Sequence, residues 1–246
     1  LGLQSDCQIF DVSNACLGIL SGAVQVANMI ELGQIRAGLV VGTECGRTLV
    51  DNTIDRLNTD LSLSRQDIKL LVASLTIGSG SVAMLLCEES LSRSGNRFQT
   101  ATVRAETDHH RLCKSEGLET FMQTDSEQLM AQGVAAGKRT FEQFLKDAGW
   151  QRDDIDKTVC HQVGVAHRKL LFEALELSPS LDYATLEWLG NTGAAALPVT
   201  LALAAEAGHI AADDRVALLG IGSGINCQMI GLEWQKSLVV GNQNGL

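Results

Sequence analysis

Two distant stretches of this chain follow one order of elements, and that repeat limits the folds open to it more than any single motif does. Aligning Cys16 with Asn191 puts Gly18 on Gly193, Gly33 on Gly208 and Ile35 on Ile210. Each stretch reads as a loop, an apolar helix, a glycine turn and an apolar strand. The strand is Gly38-Leu39-Val40-Val41-Gly42 in the first copy and Val216-Ala217-Leu218-Leu219-Gly220 in the second. Glycine just past the last helical residue is the usual C-terminal stop. The shared order predicts a duplication whose halves meet about a pseudo-twofold axis, with both helix N-termini directed at one central site.

The rest of the chain alternates in the same manner. Strands are predicted over 8–12, 37–41, 81–87, 98–106, 158–160, 216–219 and 227–233. Helices are predicted over 16–32, 125–148, 165–175 and 192–207. Apolar, β-branched runs alternating with helix-period segments specify a layered α/β fold. The stretch 44–76 is charged and helix-prone, with Leu57, Leu61 and Leu63 as anchors, and reads as an insertion. The segment 107–124 is polar. Loops this long in a compact domain are usually functional. The repeat divides the chain into 1–106, the remainder of a first half, and 107–246, a second half. Leu1 stands where a methionine would open a natural chain, a few residues before an expected core strand. The expectation is that an N-terminal part lies outside this sequence.

Bulk properties exclude several classes. At 246 residues and 45% hydrophobic, with two prolines, the chain can bury a large core. A formal net charge of −10 argues against nucleic-acid binding, which needs a basic face. Small basic groups, Arg104 with Arg111 and Lys114 or Arg168 with Lys169, are candidate contacts for an anionic thioester carrier. The apolar helix from Cys16 carries Ser21, Gln25, Asn28 and Glu31, so no membrane span is expected. Seven cysteines without a Cys-x-x-Cys pair read as reduced, cytoplasmic thiols. Most fill core space, as at Cys87, Cys160 and Cys227. His109-His110-x-x-Cys113 lacks a fourth ligand, so no metal is expected there.

Chemistry concentrates at three predicted strand ends. Cys16 stands at the junction with a long helix, where free N–H groups and the positive end of the helix dipole favour the thiolate. Its pKa is therefore expected below that of a free thiol, about 8.5. His161-Gln162 follows an apolar strand, and Gly190-Asn191-Thr192-Gly193 opens a helix. Singly, each is weak. Together, a neutral imidazole N–H and an Asn amide can hold an enolate beside an acylated cysteine. The loop Gly220-Ile221-Gly222-Ser223-Gly224 lets its backbone approach closely and offers a second N–H to an acyl oxyanion. Two oxyanion sites around one cysteine describe a Claisen condensation.

These residues resemble the thiolase-fold condensing enzymes, in the 3-oxoacyl-(acyl-carrier-protein) synthase III branch. The matching motifs are Asn14-Ala15-Cys16-Leu17-Gly18, His161-Gln162, Gly190-Asn191-Thr192-Gly193 and Gly222-Ser223-Gly224. The resemblance implies a duplicated α-β-α-β-α layered fold, usually a homodimer, with a longer N-terminal part. It implies Cys16 as the acylated nucleophile, His161 and Asn191 as enolate donors, and the backbone N–H groups of Cys16 and Ser223 as the acyl oxyanion hole beside Gly222 and Gly224. Acyl-coenzyme A or acyl carrier protein thioesters would be the substrates, with no covalently bound cofactor. The branch usually reads His-Gln-Ala-Asn and Gly-Gly-Gly-Phe, where this chain has His161-Gln162-Val163-Gly164 and Gly222-Ser223-Gly224-Ile225. That wording is more similar to the olefin-biosynthesis thiolase, which joins two acyl-coenzyme A chains head to head without decarboxylation and uses a glutamate from a region outside this chain. Decarboxylative synthesis of fatty acids or related lipids, head-to-head condensation, and a noncatalytic partner subunit or paralogue are the readings carried forward.

Overall fold

The computed structural model describes residue 2 and residues 5–115, 122–161 and 163–239. From the N-terminus the elements are α1 (Gly18–Glu31), β1 (Ala37–Glu44), α2 (Arg47–Thr59), α3 (Arg65–Leu71), β2 (Gly80–Cys87) and β3 (Arg97–Ala105). A short hairpin, β4 (Cys113–Ser115) and β5 (Met122–Thr124), precedes α4 (Ser126–Ala148). The remainder is β6 (Lys157–Cys160), α5 (Val165–Leu175), α6 (Leu186–Leu189), α7 (Ala196–Glu206), β7 (Arg215–Gly222) and β8 (Asn226–Glu233).

One sheet has the order β3-β8-β7-β6, with β6 and β7 parallel and the other pairs antiparallel. Side chains alternate across it with period two. Ala217, Leu219 and Ile221 of β7 join the core under α4 and α5, with Phe141, Phe144 and Phe172. Val216 and Leu218 point the other way, into a core with Leu17 and Leu20 of the α1 segment and Leu197 and Leu201 of α7. β3, which precedes the expected division at residue 106, lies in this sheet beside β8. Beyond α1 and α7, β1 and β2 form a second, antiparallel pair. The helix approaches β1 closely because glycines face branched side chains. A Cβ at Gly22 would lie 2.7 Å from Val40 Cγ1, and one at Gly38 would lie 2.6 Å from Val26 Cγ1. The order α4/α5, sheet, α1/α7, sheet supplies four of the five expected layers.

The repeat is structural as well as sequential. α1 and α7 are each followed by a glycine with positive φ, 67° at Gly33 and 69° at Gly208. A strand and an antiparallel partner follow in both copies: β1 with β2, β7 with β8. The copies differ in their connections. β7 and β8 are joined by 223–225, whereas β1 and β2 are separated by 45–79, which holds α2, α3 and a 3-10 turn over Val72–Thr76.

Two expectations fail here. The segment 8–12 is not a strand, and Ile9 and Phe10 are 86% and 53% exposed. No strand lies beside it among the described residues, and an unpaired backbone cannot form a ladder. Leu61 is 97% exposed and anchors nothing; in this insertion Thr53 and Leu71 are buried instead.

Candidate active site

Cys16 occupies a tight turn rather than the first turn of α1. Ala15 has φ 42°, a left-handed conformation costly for a residue with a Cβ. The turn closes through the Leu17 N–H to Asn14 O at 2.8 Å and the Gly18 N–H to Ala15 O at 3.2 Å. Leu17, fully buried, pins the turn to the core. The glycine loop packs directly behind it. A Cβ at Gly222 would meet Cys16 Cβ at 3.4 Å and Leu17 Cγ at 3.1 Å, so a side chain there would crowd the nucleophile's turn. The backbone N–H groups of Ser223 and of Cys16 itself lie close enough to the Cys16 sulfur to favour its thiolate.

A chain of side-chain hydrogen bonds, not anticipated from the sequence, ties the two loops together. Asn226 Nδ2 donates to Asn14 Oδ1 at 2.8 Å and to the Ser223 carbonyl at 3.1 Å. Asn14 Nδ2 donates to Ser21 Oγ at 2.9 Å, and Ser21 Oγ donates to Gln228 Oε1 at 3.1 Å. Single sequence positions gave no signal for this network, because its members come from α1, β8 and both loops.

Burial reverses the expected acidity of the nucleophile. It pushes the Cys16 thiol up to about 11; Cys113 and Glu44 add to the rise, while the Ser223 and Cys16 N–H groups oppose it. The dipole argument loses because α1 begins at Gly18, capped by Leu17, and the thiol sits outside its first turn.

His161 follows the last residue of β6, its N–H held by Leu219 O at 3.1 Å. The residue is 3% exposed, and neither ring nitrogen has a partner among the described residues. Burial, with His167 nearby, lowers its pKa to about 3, and burial lowers that of His167 to about 4. Both rings are neutral at pH 7. A buried polar group left unpaired costs stability, which sets His161 apart from the other buried side chains of β6. β6 is secured by Asp182, which accepts from Thr158 Oγ1 at 3.2 Å, the Cys160 N–H at 3.1 Å and Arg168 Nε at 2.6 Å. Arg168 thereby ties α5 to the Asp182 that secures β6. Gln162 lies outside the described residues.

Asn191 is fixed through its backbone: its N–H reaches Thr76 O and its carbonyl accepts from Gly78 N, both at 2.9 Å. Its Oδ1 accepts the Gly193 N–H at 3.0 Å, which leaves the Nδ2 group to donate elsewhere. Cys16, His161, Asn191, Gly222 and Ser223 all line one cavity of about 1770 Å³. Glu44, Cys113 and His167 line it too, and none of the three was picked out as a site residue from sequence. Gly224 shapes the loop behind it with φ 134°, outside the range of ordinary side-chain-bearing residues.

Comparisons with known proteins identify the family. Residues 10–106 match the family model described as 3-oxoacyl-[acyl-carrier-protein (ACP)] synthase III, and residues 145–234 match its C-terminal counterpart. An acyl-CoA:acyl-CoA alkyltransferase of Shewanella oneidensis is 42% identical over 95% of this chain and 69% of its own length. A beta-ketoacyl-[acyl-carrier-protein] synthase III of Geobacillus kaustophilus is 28% identical over 92% of this chain and 66% of its own. The crystal structure of cerulenin-bound Xanthomonas campestris OleA superposes with a TM-score of 0.90 at 32% identity, covering 95% of this chain and 67% of that one. The chain therefore belongs to the 3-oxoacyl-[acyl-carrier-protein] synthase III family of thiolase-fold condensing acyltransferases.

Proposed function

We propose that this protein condenses two acyl-coenzyme A thioesters head to head, without decarboxylation. The observation that carries the reading is the convergence of Cys16, the Ser223 loop, an unpartnered neutral His161 and Asn191 on one cavity. Cys16 attacks the first thioester, and coenzyme A leaves as the thiol. The N–H groups of Cys16 and Ser223 hold the tetrahedral oxyanion. The second acyl-coenzyme A gives an α-proton to a base, the glutamate from outside this chain that the resemblance implies, and its enolate oxygen lies against His161 and Asn191 Nδ2. Its α-carbon attacks the acyl carbonyl, and that base then returns the proton to the departing Cys16 sulfur. The product is a 2-alkyl-3-oxoacyl thioester. With a pKa of about 3, His161 is a poor base at pH 7 and serves as an N–H donor.

Likeness favours this over a decarboxylative synthase. The apolar side chains of Val26 and Met29 in the cavity wall suit an acyl chain. The 42% identical relative bears an alkyltransferase name. The proposal includes a homodimer in the cytoplasm, with acyl carrier protein as a second possible carrier. All seven cysteines are free thiols, and no helix among the described residues is long and apolar enough to cross a membrane. The deciding experiment supplies long-chain acyl-coenzyme A with and without malonyl thioester. Product from acyl-coenzyme A alone, with no release of carbon dioxide, is expected. A strict requirement for malonyl thioester would assign the decarboxylative reaction instead.

A further inference from the structure

Glu44 ends β1 in the first half of the repeat, yet its carboxylate serves the second half. Glu44 Oε1 accepts the Ala194 N–H at 3.1 Å. Gly193 has φ 57°, and a Cβ on it would lie 2.9 Å from both the carboxyl carbon and Oε1 of Glu44. The positive φ favours glycine in the Asn191-Thr192-Gly193 turn, and its bare Cα lets the Glu44 carboxylate pack against it. The Gly193 N–H in turn fixes Asn191 Oδ1 at 3.0 Å. One chain of contacts runs from Glu44 through the Gly193–Ala195 turn to the Asn191 amide. The backbone of Asn191 is held separately, by Thr76 and Gly78.

We propose that Glu44 is a positioning residue for condensation, holding the Gly193–Ala195 turn so that Asn191 presents its Nδ2 group to the enolate oxygen. A carboxylate suits the place because it accepts from a backbone N–H more strongly than a neutral group does, and it meets the positive start of α7. Its role is confined to the second half-reaction. Acylation of Cys16 relies on the Cys16 and Ser223 N–H groups; there the Glu44 charge only raises the thiol's pKa, so its removal does not slow acylation. This inference rests on the roles proposed above for His161 and Asn191.

The test compares wild type, Glu44→Ala and Glu44→Gln in the full protein. Intact mass after incubation with acyl-coenzyme A reads acylation of Cys16, and product formation reads condensation. Displacing a reacting group by about 1 Å can cost on the order of 100-fold in rate. Glu44→Ala is expected to acylate fully and to condense about 100-fold more slowly. Glu44→Gln, whose carboxamide oxygen can still accept the Ala194 N–H, is expected to recover most of that rate. Normal condensation in Glu44→Ala would overturn the proposal. So would a Glu44→Gln as slow as Glu44→Ala, which would assign Glu44 a proton-transfer role. Equal loss of both half-reactions in Glu44→Ala would reduce Glu44 to a general structural support. Asn191→Ala run in parallel separates the levels: unimpaired condensation there refutes the Asn191 role itself, whatever Glu44 does.

Discussion

The repeat-related strand pairs β1–β2 and β7–β8 share a preceding helix, a left-handed glycine and an antiparallel register, but they occupy different surroundings. β7 is buried along nearly its whole length between two helical layers, and β6 and β8 flank it. β1 and β2 bury one face on α1 and α7, and the other carries Leu39, Val41 and Leu85 at 46%, 61% and 69% exposure. The strand ends cross over between halves. Gly222 of β7 lies behind the Cys16 turn that starts α1, while Glu44 of β1 caps the Asn191 turn that starts α7. Each half thus supports the other half's reactive turn. One crossing leaves N–H groups at the sulfur; the other fills its N–H with an internal carboxylate. The asymmetry fits the proposed division, with acylation at the first turn and enolate binding at the second.

Substitution at the first crossing should have the largest effect. Ser223→Pro removes the N–H that meets the Cys16 sulfur, and acylation measured by intact mass should be abolished. Ser223→Gly keeps the N–H and should acylate within a few-fold of wild type. Efficient acylation in Ser223→Pro would break the division between the crossings. Next is the reactivity of the resting thiol. With a pKa of about 11, the Cys16 thiolate fraction should rise about tenfold per pH unit from pH 7 to 10. Alkylation by iodoacetamide, mapped to Cys16, should follow that slope; a plateau near pH 8.5 would restore a helix-activated thiolate.

The smallest effects concern the two strand pairs themselves. Leu218→Ala opens space between β7 and the α1/α7 layer and should cost about 3 kcal/mol in denaturant unfolding. Val41→Thr, on the exposed face, should change stability by about 0.5 kcal/mol or less. A loss at Val41 comparable to that at Leu218 would mean that this face is covered in solution.

What the sequence reveals follows the range of each interaction. The 3.6-residue period over Val165–Leu175 predicts α5 to the residue, and the aligned glycines predict the duplication. The motif positions of Cys16, His161, Asn191 and Ser223 are legible as a set, and the four meet at one cavity. Strand character at 8–12 is misread because alternation says nothing about whether a neighbour is present. The Cys16 pKa is misjudged because helix proximity is visible locally, whereas burial, Cys113 and Glu44 are not. Asn226, Gln228 and Glu44 escape notice for the same reason: their partners lie far away in the chain.

The separation of the two half-reactions is tested most directly by measuring both in one set of samples. Wild type, His161→Ala and Asn191→Ala are incubated with acyl-coenzyme A, and the acyl mass on Cys16 and the condensed product are quantified together. Loss of one oxyanion donor typically costs on the order of 100-fold. Both variants should carry a full acyl group on Cys16 and form product about 100-fold more slowly than wild type. Near-normal condensation in both would contradict the enolate assignment, and loss of acylation in His161→Ala would recast that residue as the base for the thiol.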